Sequence, residues 1–473
     1  MFAIKRLLLL GLVFFLAACG EWSLTPLPFP TPAQHDLVVL IRPGPLTYTN
    51  DDSGNAGGLE HDLIEAFAQE LGVAVKYIVA TPEEMASRLD SSRYHIAAAW
   101  LSPEDGEQNP ASPAIFLSHD VLTQNDASLP LTDLAQLAGK TVHAMAGSRQ
   151  AATLRRLAQT LNDLEIVEVG EGDILDLLEA LANGKVDYVA MDSHLEDIAS
   201  QFFPNLDTSL KLSEEKPIVW RFGNHPNAEL VARAREFIER IQLDGTLARL
   251  EERYFGHVRR LEQEDVVKFL GEIETTLPRL REYFQSAETV SGIDWRLIAA
   301  IAYHESHWDP NATSRTGVRG IMMLTEETAD RMGVSNRLDA RESILAGARY
   351  LALLKEQQAA EIAEPDRTWL ALAAYNIGPG HFGAARRLAK LLGADDRSWF
   401  EMKRILPLLA LPKYYQRIKS SRARGGEAVI LVENIRSHYD ILLRNERAST
   451  FAAGKGSMAG KLGSGSGLKL KRQ

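Results

Sequence analysis

The chain has 473 residues, of which 45% are hydrophobic and 24% are charged. It is longer than one hydrophobic core usually serves and too apolar for a disordered protein, so we expect two globular domains of about 200 residues each. The net charge of −11 divides into +1 for residues 1–34, −19 for residues 35–256 and +7 for residues 257–473. The chain has no basic stripe with interleaved aromatic residues, so its sequence argues against nucleic acid as a partner.

The first 18 residues have the pattern of a secretory signal peptide. Lys5 and Arg6 precede an apolar run over residues 7–16, and small residues follow it. This run is shorter than the ~20 residues that a membrane-spanning helix needs. We therefore predict a signal peptide over residues 1–18.

Cys19 is the only cysteine in the chain, so it cannot form an internal disulfide. The small-residue run that ends at Cys19 resembles a bacterial lipobox, which implies cleavage before Cys19 and lipidation of its side chain. Gly20 in the next position favours the outer membrane under the same resemblance. The alternative is an ordinary cleaved signal with Cys19 as a chance residue. The predicted location is the periplasmic face of the outer membrane, by lipid or by peripheral attachment.

Residues 19–34 contain four prolines and few charges, which is typical of an extended tether. Residues 35–257 then alternate between short β-type runs and helical runs, beginning with LVVLIR, DLIEAFAQELG and VAVKYIV. Such alternation predicts an α/β domain with crossover helices. The pattern also predicts that one last helix runs from about Glu229 to Tyr254 and ends at Gly256.

Several segments of this first domain, among them GGLEHDLIEAFAQELGVAVKY and GKVDYVAMDSHL, resemble the periplasmic solute-binding proteins that capture polar amino acids. The turn around Ser148 leads from a strand into a helix, where free backbone N–H groups can hold an anion. The resemblance places Asp192 opposite a ligand's ammonium group, although a helix cap is an equal alternative for this residue. The arginine that usually grips the ligand's carboxylate is missing after Pro103, which argues against an ordinary free amino acid as the ligand. The candidate partners are muropeptides, amino acids or another protein, and the alternative is that the domain acts only as a regulator.

Residues 258–450 read as successive helices, starting with VVKFLGEIETTLPRLREYFQSA, and residues 451–473 are rich in Gly, Ser and Lys, which predicts a disordered tail. The segment HESHWDPNATSRTGVRGIMMLTEETA, the block ALAAYNIGPG at 371–380 and the run at 424–439 resemble the soluble lytic transglycosylase family. The matching positions of the first segment are Glu305, Ser306, Pro310, Ser314, Gly317, Gly320 and Met322. The predicted fold is therefore an α/β periplasmic solute-binding domain followed by a mainly α, lysozyme-like catalytic domain.

The resemblance implies cleavage of peptidoglycan glycan strands between N-acetylmuramic acid and N-acetylglucosamine, a 1,6-anhydromuramoyl product, and neither metal nor cofactor. Glu305 follows an apolar helical run, and a carboxyl beside apolar walls near a helix's negative end has a raised pKa. It is the candidate general acid, which takes a proton back when the C6 hydroxyl of the muramic sugar attacks. Ordinary glycosidases require two catalytic carboxyl groups. No second acid in this sequence is as strong a candidate as Glu305.

By the same resemblance, Ser314, Met323, Tyr375 and Asn376 line the substrate cleft, with Tyr375 within hydrogen-bonding reach of Glu305. Met323 departs from the family, which usually has glutamine there, and Leu431 stands where a tyrosine is common. Ser306 and the two glycines are expected to be structural. Two other functions remain open from the sequence: a catalytically silent murein sensor and a lysozyme-type hydrolase.

Overall fold

The computed structural model describes residues 35–50, 54–91, 93–103, 110–223, 226–258, 261–314 and 317–449. The predicted signal peptide, Cys19, the proline-rich tether and the predicted tail at 451–473 lie outside these residues. The predicted order of an α/β domain followed by a helical domain is confirmed. No helix in the described ranges combines the length and the apolar character needed to cross a membrane.

The first lobe of the α/β domain is a five-stranded sheet with the strand order β4-β1-β5-β12-β6. The central strands β1 and β5 pair in parallel and are almost wholly buried, which explains why they read as uninterrupted apolar runs. A short hairpin of two strands, β2 and β3, leads into the first helix. The elements of this lobe are β1 Leu37–Ile41, β2 Thr49–Asn50, β3 Ala56–Gly57, α1 Leu59–Leu71, β4 Val75–Val79, α2 Pro82–Ser91, β5 Ile96–Leu101, β6 Phe116–Ser118 and β12 Lys216–Phe222.

The second lobe is another five-stranded sheet, with the order β11-β7-β10-β8-β9. Two crossing segments join the lobes, and they are hydrogen-bonded to each other: the N–H of Leu212 donates to the carbonyl of Asp120 at 2.7 Å, and the N–H of Asp120 donates to Ser213 Oγ at 2.9 Å. Such a paired crossing is a natural hinge. The elements of this lobe are β7 Asp120–Asn125, β8 Thr141–Met145, α3 Arg149–Leu157, β9 Glu165–Val169, α4 Ile174–Ala182, β10 Tyr188–Asp192, α5 Glu196–Phe202 and β11 Leu206–Lys211.

The single helix predicted from Glu229 to Tyr254 is wrong, because two helices occupy this stretch. They are α6 Ala228–Leu243 and α7 Thr246–Phe255. Asp244 and Gly245 separate them, and Gly245 adopts a φ of 78°, a conformation that glycine reaches without steric cost. The apolar spacing continues across this break, which hid it in the sequence.

The second domain consists of helices around the largest hydrophobic core of the molecule. Its centre is α10, in which every residue from Trp295 to Tyr303 is buried. The helix packs against both the preceding helix and the last one. The helices are α8 Gln263–Thr275, α9 Leu277–Ser291, α10 Trp295–Ser306, α11 Glu326–Met332, α12 Ala340–Glu356, α13 Asp366–Ile377, α14 Pro379–Leu392, α15 Trp399–Ile405, α16 Pro412–Tyr415 and α17 Gly425–Asn445.

The first predicted helical run of this domain is broken into α8 and α9 at Thr276. Pro278 occupies the first turn of α9, where a missing N–H costs nothing because that group would have no partner inside the helix. The proline therefore begins a helix here rather than kinking one.

The helix α17 touches both domains. Arg436 Nη2 donates to the carbonyl of Arg253 at 2.7 Å, and Ser437 Oγ donates to that of His257 at 2.8 Å. Towards the second lobe, Gln201 Nε2 donates to the Ser437 carbonyl at 3.1 Å, and Arg444 donates to Glu179 at 2.8 Å. The helix α17 thus connects the helical domain to the end of α7 and to the second lobe, and Lys403, Glu364 and Gln263 make further contacts with the α/β domain.

Candidate active site and interlobe cleft

Glu305 lies in the last turn of α10, where the helix leaves the core. The helix begins at Asp294, whose carboxylate accepts the N–H of Arg296 at 2.8 Å, and ends at His307, which adopts a left-handed φ of 51°. Its apolar residues are buried along its whole length up to Tyr303. Glu305 itself is partly exposed. Its side chain therefore reaches solvent, although the helix that carries it is fixed in the core.

Burial raises the pKa of Glu305 from its usual value to about 7. A carboxyl shielded from water loses hydration that mainly stabilises the charged form, so the neutral acid is favoured. Burial is the only resolved cause of the shift, and no second carboxylate among the described residues contributes to it. The predicted protonated acid at the end of α10 therefore has a physical basis in its surroundings.

Residues 312–314 and 317–324 belong to a loop that contacts the end of α10. Ser306 Oγ donates to the carbonyl of Ile321 at 2.8 Å and so fastens the helix end to this loop. Gly320 has a φ of 82°, and a Cβ at this position would lie 1.8 Å from the carbonyl oxygen of Arg337. Only glycine fits there, and the predicted structural roles of Ser306 and Gly320 agree with these contacts.

Tyr375 lies in the last full turn of α13 and contacts the same loop. Its hydroxyl donates to the carbonyl of Met322 at 3.1 Å, rather than to Glu305 as the sequence suggested. The negative charge of an ionised Glu305 nevertheless adds to the burial that holds the pKa of Tyr375 well above its usual value. The two side chains are therefore electrostatic neighbours.

The other predicted cleft residues occupy different parts of this surface. Met323 is half-buried next to the loop's Met322 and has a left-handed φ of 47°. Asn376 is exposed beside Tyr375. Ser314 lies on the other arm of the loop, where its Oγ accepts the N–H of Val318 at 3.2 Å and its carbonyl accepts that of Gly317 at 3.2 Å.

Two buried histidines lie near the end of α10: His304 directly precedes Glu305, and the imidazole centroid of His438 lies 6.5 Å from that of His304. Burial lowers the pKa of His304 to about 4 and that of His438 to about 3. Both imidazoles are therefore neutral near pH 7, and neither supplies a positive charge that would stabilise an ionised Glu305. Among the described residues, no group of three or more His, Cys, Asp or Glu side chains has the arrangement of a metal site.

In the α/β domain, Asp192 lies at the cleft between the lobes but is already fully engaged. Arg149 Nη2 contacts its Oδ2 at 2.5 Å, Trp100 Nε1 donates to the same oxygen at 2.9 Å, and Ser118 Oγ donates to Oδ1 at 2.7 Å. Burial would raise the pKa of Asp192, but hydrogen bonds from His194 and the charge of Arg149 outweigh it and lower the pKa. Ser148 caps α3, with its Oγ accepting the N–H of Ala151 at 3.1 Å.

Three cleft residues were missed in the sequence: Arg149, Arg42 and Glu60. Arg149 follows the predicted Ser148 directly, and its guanidinium also pairs with Asp120 at 3.0 Å. Arg42 directly follows β1 and lines a small cavity between the lobes. Glu60 is buried in α1, with Oε2 accepting the N–H of Trp100 at 2.6 Å. A charged residue at the end of a buried strand was the one available signal for Arg42.

Two family models match the chain. The model described as bacterial extracellular solute-binding proteins, family 3, matches residues 37–257, and the model described as transglycosylase SLT domain matches residues 282–396. The chain is also similar to a solved structure titled an ancestral arginine-binding protein bound to arginine, with 20% identity and a TM-score of 0.42 over 46% of this chain and 98% of that one.

Full-length relatives share both domains. A membrane-bound lytic murein transglycosylase F of Nitrosospira multiformis is 43% identical over 91% of this chain and 90% of its own length. A protein with the same name from Thiobacillus denitrificans is 43% identical, with 92% of each chain covered. One from Methylobacillus flagellatus is 38% identical over 94% of this chain and 95% of its own length.

Proposed function

Because this chain belongs to the membrane-bound lytic murein transglycosylase F family and is a peptidoglycan lytic transglycosylase, we propose that Glu305 alone performs the proton transfers of its reaction. Glu305 protonates the glycosidic oxygen that links N-acetylmuramic acid to N-acetylglucosamine, the bond from C1 to this oxygen breaks, and N-acetylglucosamine leaves with the proton on its hydroxyl. The resulting carboxylate then accepts the proton of the muramic C6 hydroxyl as that oxygen attacks C1. The product carries a 1,6-anhydromuramoyl end, and no water enters it.

The observation that carries this proposal is that burial alone raises the pKa of Glu305. In a retaining glycosidase, two carboxyl groups lie about 5 Å apart, and the charge of one raises the pKa of the other. No such partner acts on Glu305 within the described residues. A single acid is sufficient when the nucleophile belongs to the substrate, because intramolecular attack has a high effective molarity.

Tyr375, Ser314, Met323 and Asn376 would line the glycan cleft around this acid. Tyr375 holds the loop at Met322 in place through its hydroxyl. Met323 offers a half-buried apolar surface, and Asn376 offers an exposed amide. These groups position the sugar rings and leave the proton transfers to Glu305.

Digestion of purified murein by the full chain tests this reaction. Mass spectrometry separates anhydro ends from reducing ends, because an anhydro end weighs one water less. We expect anhydro ends from the wild type and no fragments from Glu305→Gln, whose amide keeps the shape but cannot exchange the proton. Reducing ends would indicate a lysozyme-type hydrolase. Absence of wild-type fragments would favour the silent sensor.

We also propose that the α/β domain regulates cleavage when it binds a murein peptide or an amino acid. The supporting observation is that α17 contacts the second lobe through Arg444 and Gln201 and also packs against α10, which carries Glu305. A change in the angle between the lobes would therefore be transmitted to the catalytic helix. Comparing residues 258–473 with the full chain, with and without peptides released from murein, tests this; identical rates throughout would contradict it.

We propose further that Cys19 carries a lipid that anchors the mature chain to the periplasmic face of the outer membrane. Support comes from the small-residue run ahead of it in the sequence and from Gly20 after it. The substitution Cys19→Ser should move the protein from the outer membrane to the soluble periplasm, and cell fractionation measures this change. Equal recovery in salt-washed membranes would point to peripheral attachment.

A further inference from the structure

The cavity between the two lobes has a volume of about 50 Å³ and is lined by Arg42, Trp100, Ser148 and Asp192, among others. At roughly 10–15 Å³ per water molecule, this space holds about three to five waters. A carboxylate group fills a similar space. A whole amino acid requires the lobes to open.

The position expected to receive a ligand's ammonium is already filled by the protein itself. Asp192 is paired with Arg149 and accepts hydrogen bonds from Trp100, Ser118 and the N–H of His194 at 2.9 Å. The Nδ1 atom of His194 also lies 3.2 Å from Asp192 Oδ1. An incoming ammonium would have to displace the buried guanidinium of Arg149. Removing one partner of such a buried pair is strongly unfavourable, since the other charge is left uncompensated.

The side chain of Arg42, unlike that of Asp192, lacks a polar partner in the described part of the chain. Its guanidinium makes no ion pair or hydrogen bond within the described residues, although it lines the cavity. The acids that act on its pKa are Glu60 and Asp192, which oppose the larger effect of burial. Asp192 is neutralised by Arg149, which leaves Glu60 as the possible counter-ion of Arg42.

Glu60 is a weak counter-ion for that charge. Its side chain is completely buried, Oε2 accepts the N–H of Trp100, and Oε1 has no partner among the described residues. Burial raises the pKa of Glu60 to about 8, so the group is largely neutral at pH 7. Asp173 also lines the cavity, but its Oδ1 accepts the N–H groups of Leu175 and Asp176 at the start of α4.

We infer that the interlobe cleft is an anion site in which Arg42 binds the carboxylate of the ligand, and that the ligand presents no free ammonium to Asp192. A guanidinium offers two parallel N–H donors that match a carboxylate. An acylated residue or the carboxyl end of a peptide has this chemistry, whereas an amino-acid amide does not. This inference gives the chemical class of ligand for the regulatory role proposed above.

The test uses the full chain and three small probes built on alanine: N-acetyl-L-alanine has a carboxylate and no ammonium, L-alanine has both groups, and L-alaninamide has an ammonium and no carboxylate. A ligand that binds only the native state raises the melting temperature in proportion to ln(1 + [L]/Kd), and calorimetric titration gives Kd directly. We expect N-acetyl-L-alanine to bind and L-alaninamide not to bind. Binding of L-alaninamide as tight as that of L-alanine, or no binding of any carboxylate probe at about 10 mM, would overturn the inference.

The variants are Arg42→Gln, which removes the charge, and Arg42→Lys, which keeps the charge without the paired donors. Loss of a charged hydrogen-bonded contact is worth about 1.5–3 kcal/mol, so Arg42→Gln should weaken N-acetyl-L-alanine binding roughly 10- to 100-fold. Arg42→Lys should restore part of it. Arg88→Gln, at an exposed pair with Glu84 on α2, is the matched control with unchanged Kd. An unchanged Kd in folded Arg42→Gln would contradict the assignment.

These measurements do not use cleavage as a readout. Binding through Arg42 without any effect on murein cleavage would leave the anion site standing and would remove only the regulatory proposal. If the ligand still changed the cleavage rate of Arg42→Gln, the regulatory proposal would stand and the assignment of the anion site to Arg42 would be wrong.

Discussion

The imidazole of His438 lies edge-on to the ring of Tyr303, with their centroids 5.0 Å apart. Tyr303 precedes Glu305 by two residues on α10, and His438 belongs to the stretch of α17 that contacts the α/β domain. The neighbouring Ser437 accepts a hydrogen bond from Gln201 of the second lobe. Two consecutive residues of α17 therefore face the catalytic helix and the binding domain.

This arrangement predicts that Arg444→Ala uncouples the two domains. Arg444 donates to the carbonyl of Leu175 at 3.2 Å and to Glu179 at 2.8 Å, and its guanidinium lies over the ring of Phe203. Partly exposed pairs stabilise little, about 1 kcal/mol or less, so the fold should survive. We expect murein peptides to lose their effect on the cleavage rate while the basal rate stays within about twofold, because the contacts of the Arg444 side chain are with Leu175, Glu179 and Phe203 of the α/β domain.

Arg404→Ala serves as the control for this variant. Arg404 is an exposed cation that pairs with Glu401 inside α15 and not with the α/β domain. The peptide effect should remain in this control. An equal peptide effect in Arg444→Ala and wild type would argue against coupling through the end of α17.

Replacement of Tyr375 by phenylalanine should slow cleavage by about one to two orders of magnitude. The variant leaves the carbonyl of Met322 without its 3.1 Å hydrogen bond, at a cost of about 1–3 kcal/mol, and loosens the loop beside Glu305. Steady-state rates on murein fragments provide the measurement. Tyr350→Phe is the control, since its ring lies 5.5 Å from that of Tyr375 and its hydroxyl has no hydrogen bond within the described residues. Similar rates in both variants would mean that the Tyr375 hydroxyl has no role.

The two glycines of the loop should differ sharply in their tolerance of alanine. Both have a φ near 80°, which costs alanine about 1–2 kcal/mol. At Gly320 the new Cβ would also lie 1.8 Å from the carbonyl oxygen of Arg337, whereas at Gly317 it meets no described atom within 4 Å. Urea unfolding should therefore show a much larger loss of stability for Gly320→Ala than for Gly317→Ala. Equal losses would contradict the close approach.

The sequence was sufficient to predict the order of the two domains and the helix that ends near Glu305. These features depend on local apolar spacing, which is strong in both the buried strands and α10. The sequence did not reveal the break between α6 and α7 at Gly245, because the apolar spacing continues on both sides of it. Aspartate followed by glycine is a turn signal, but the surrounding helical pattern concealed it.

The same limit applies to the two sites. The pairing of Arg149 with Asp192 joins residues 43 positions apart, and the bond from Tyr375 to Met322 spans 53 positions. Neither follows from spacing along an element. Family resemblance indicated which residues meet at each site, but the partner of each polar group depends on the packing of the folded chain.

Glu305 should make the stability of the native state depend on pH. Its pKa is raised from 4.5 to about 7, so the native state is most favoured when the group is protonated, below about pH 4.5, and this stabilisation is lost as the pH rises through 7. Glu305→Gln should therefore be more stable than wild type at pH 8, by up to roughly 3 kcal/mol, and nearly equal at pH 4. Melting temperatures at both pH values measure this, and no difference at pH 8 would contradict a buried, raised carboxyl.

Digestion of murein in water enriched in oxygen-18 tests the central claim most directly. If the C6 hydroxyl attacks and Glu305 handles both proton transfers, solvent oxygen does not enter the new ends. We therefore predict anhydro ends without the label, and no ends at all from Glu305→Gln. One labelled oxygen in each newly formed end would contradict the account, because water would then be the nucleophile.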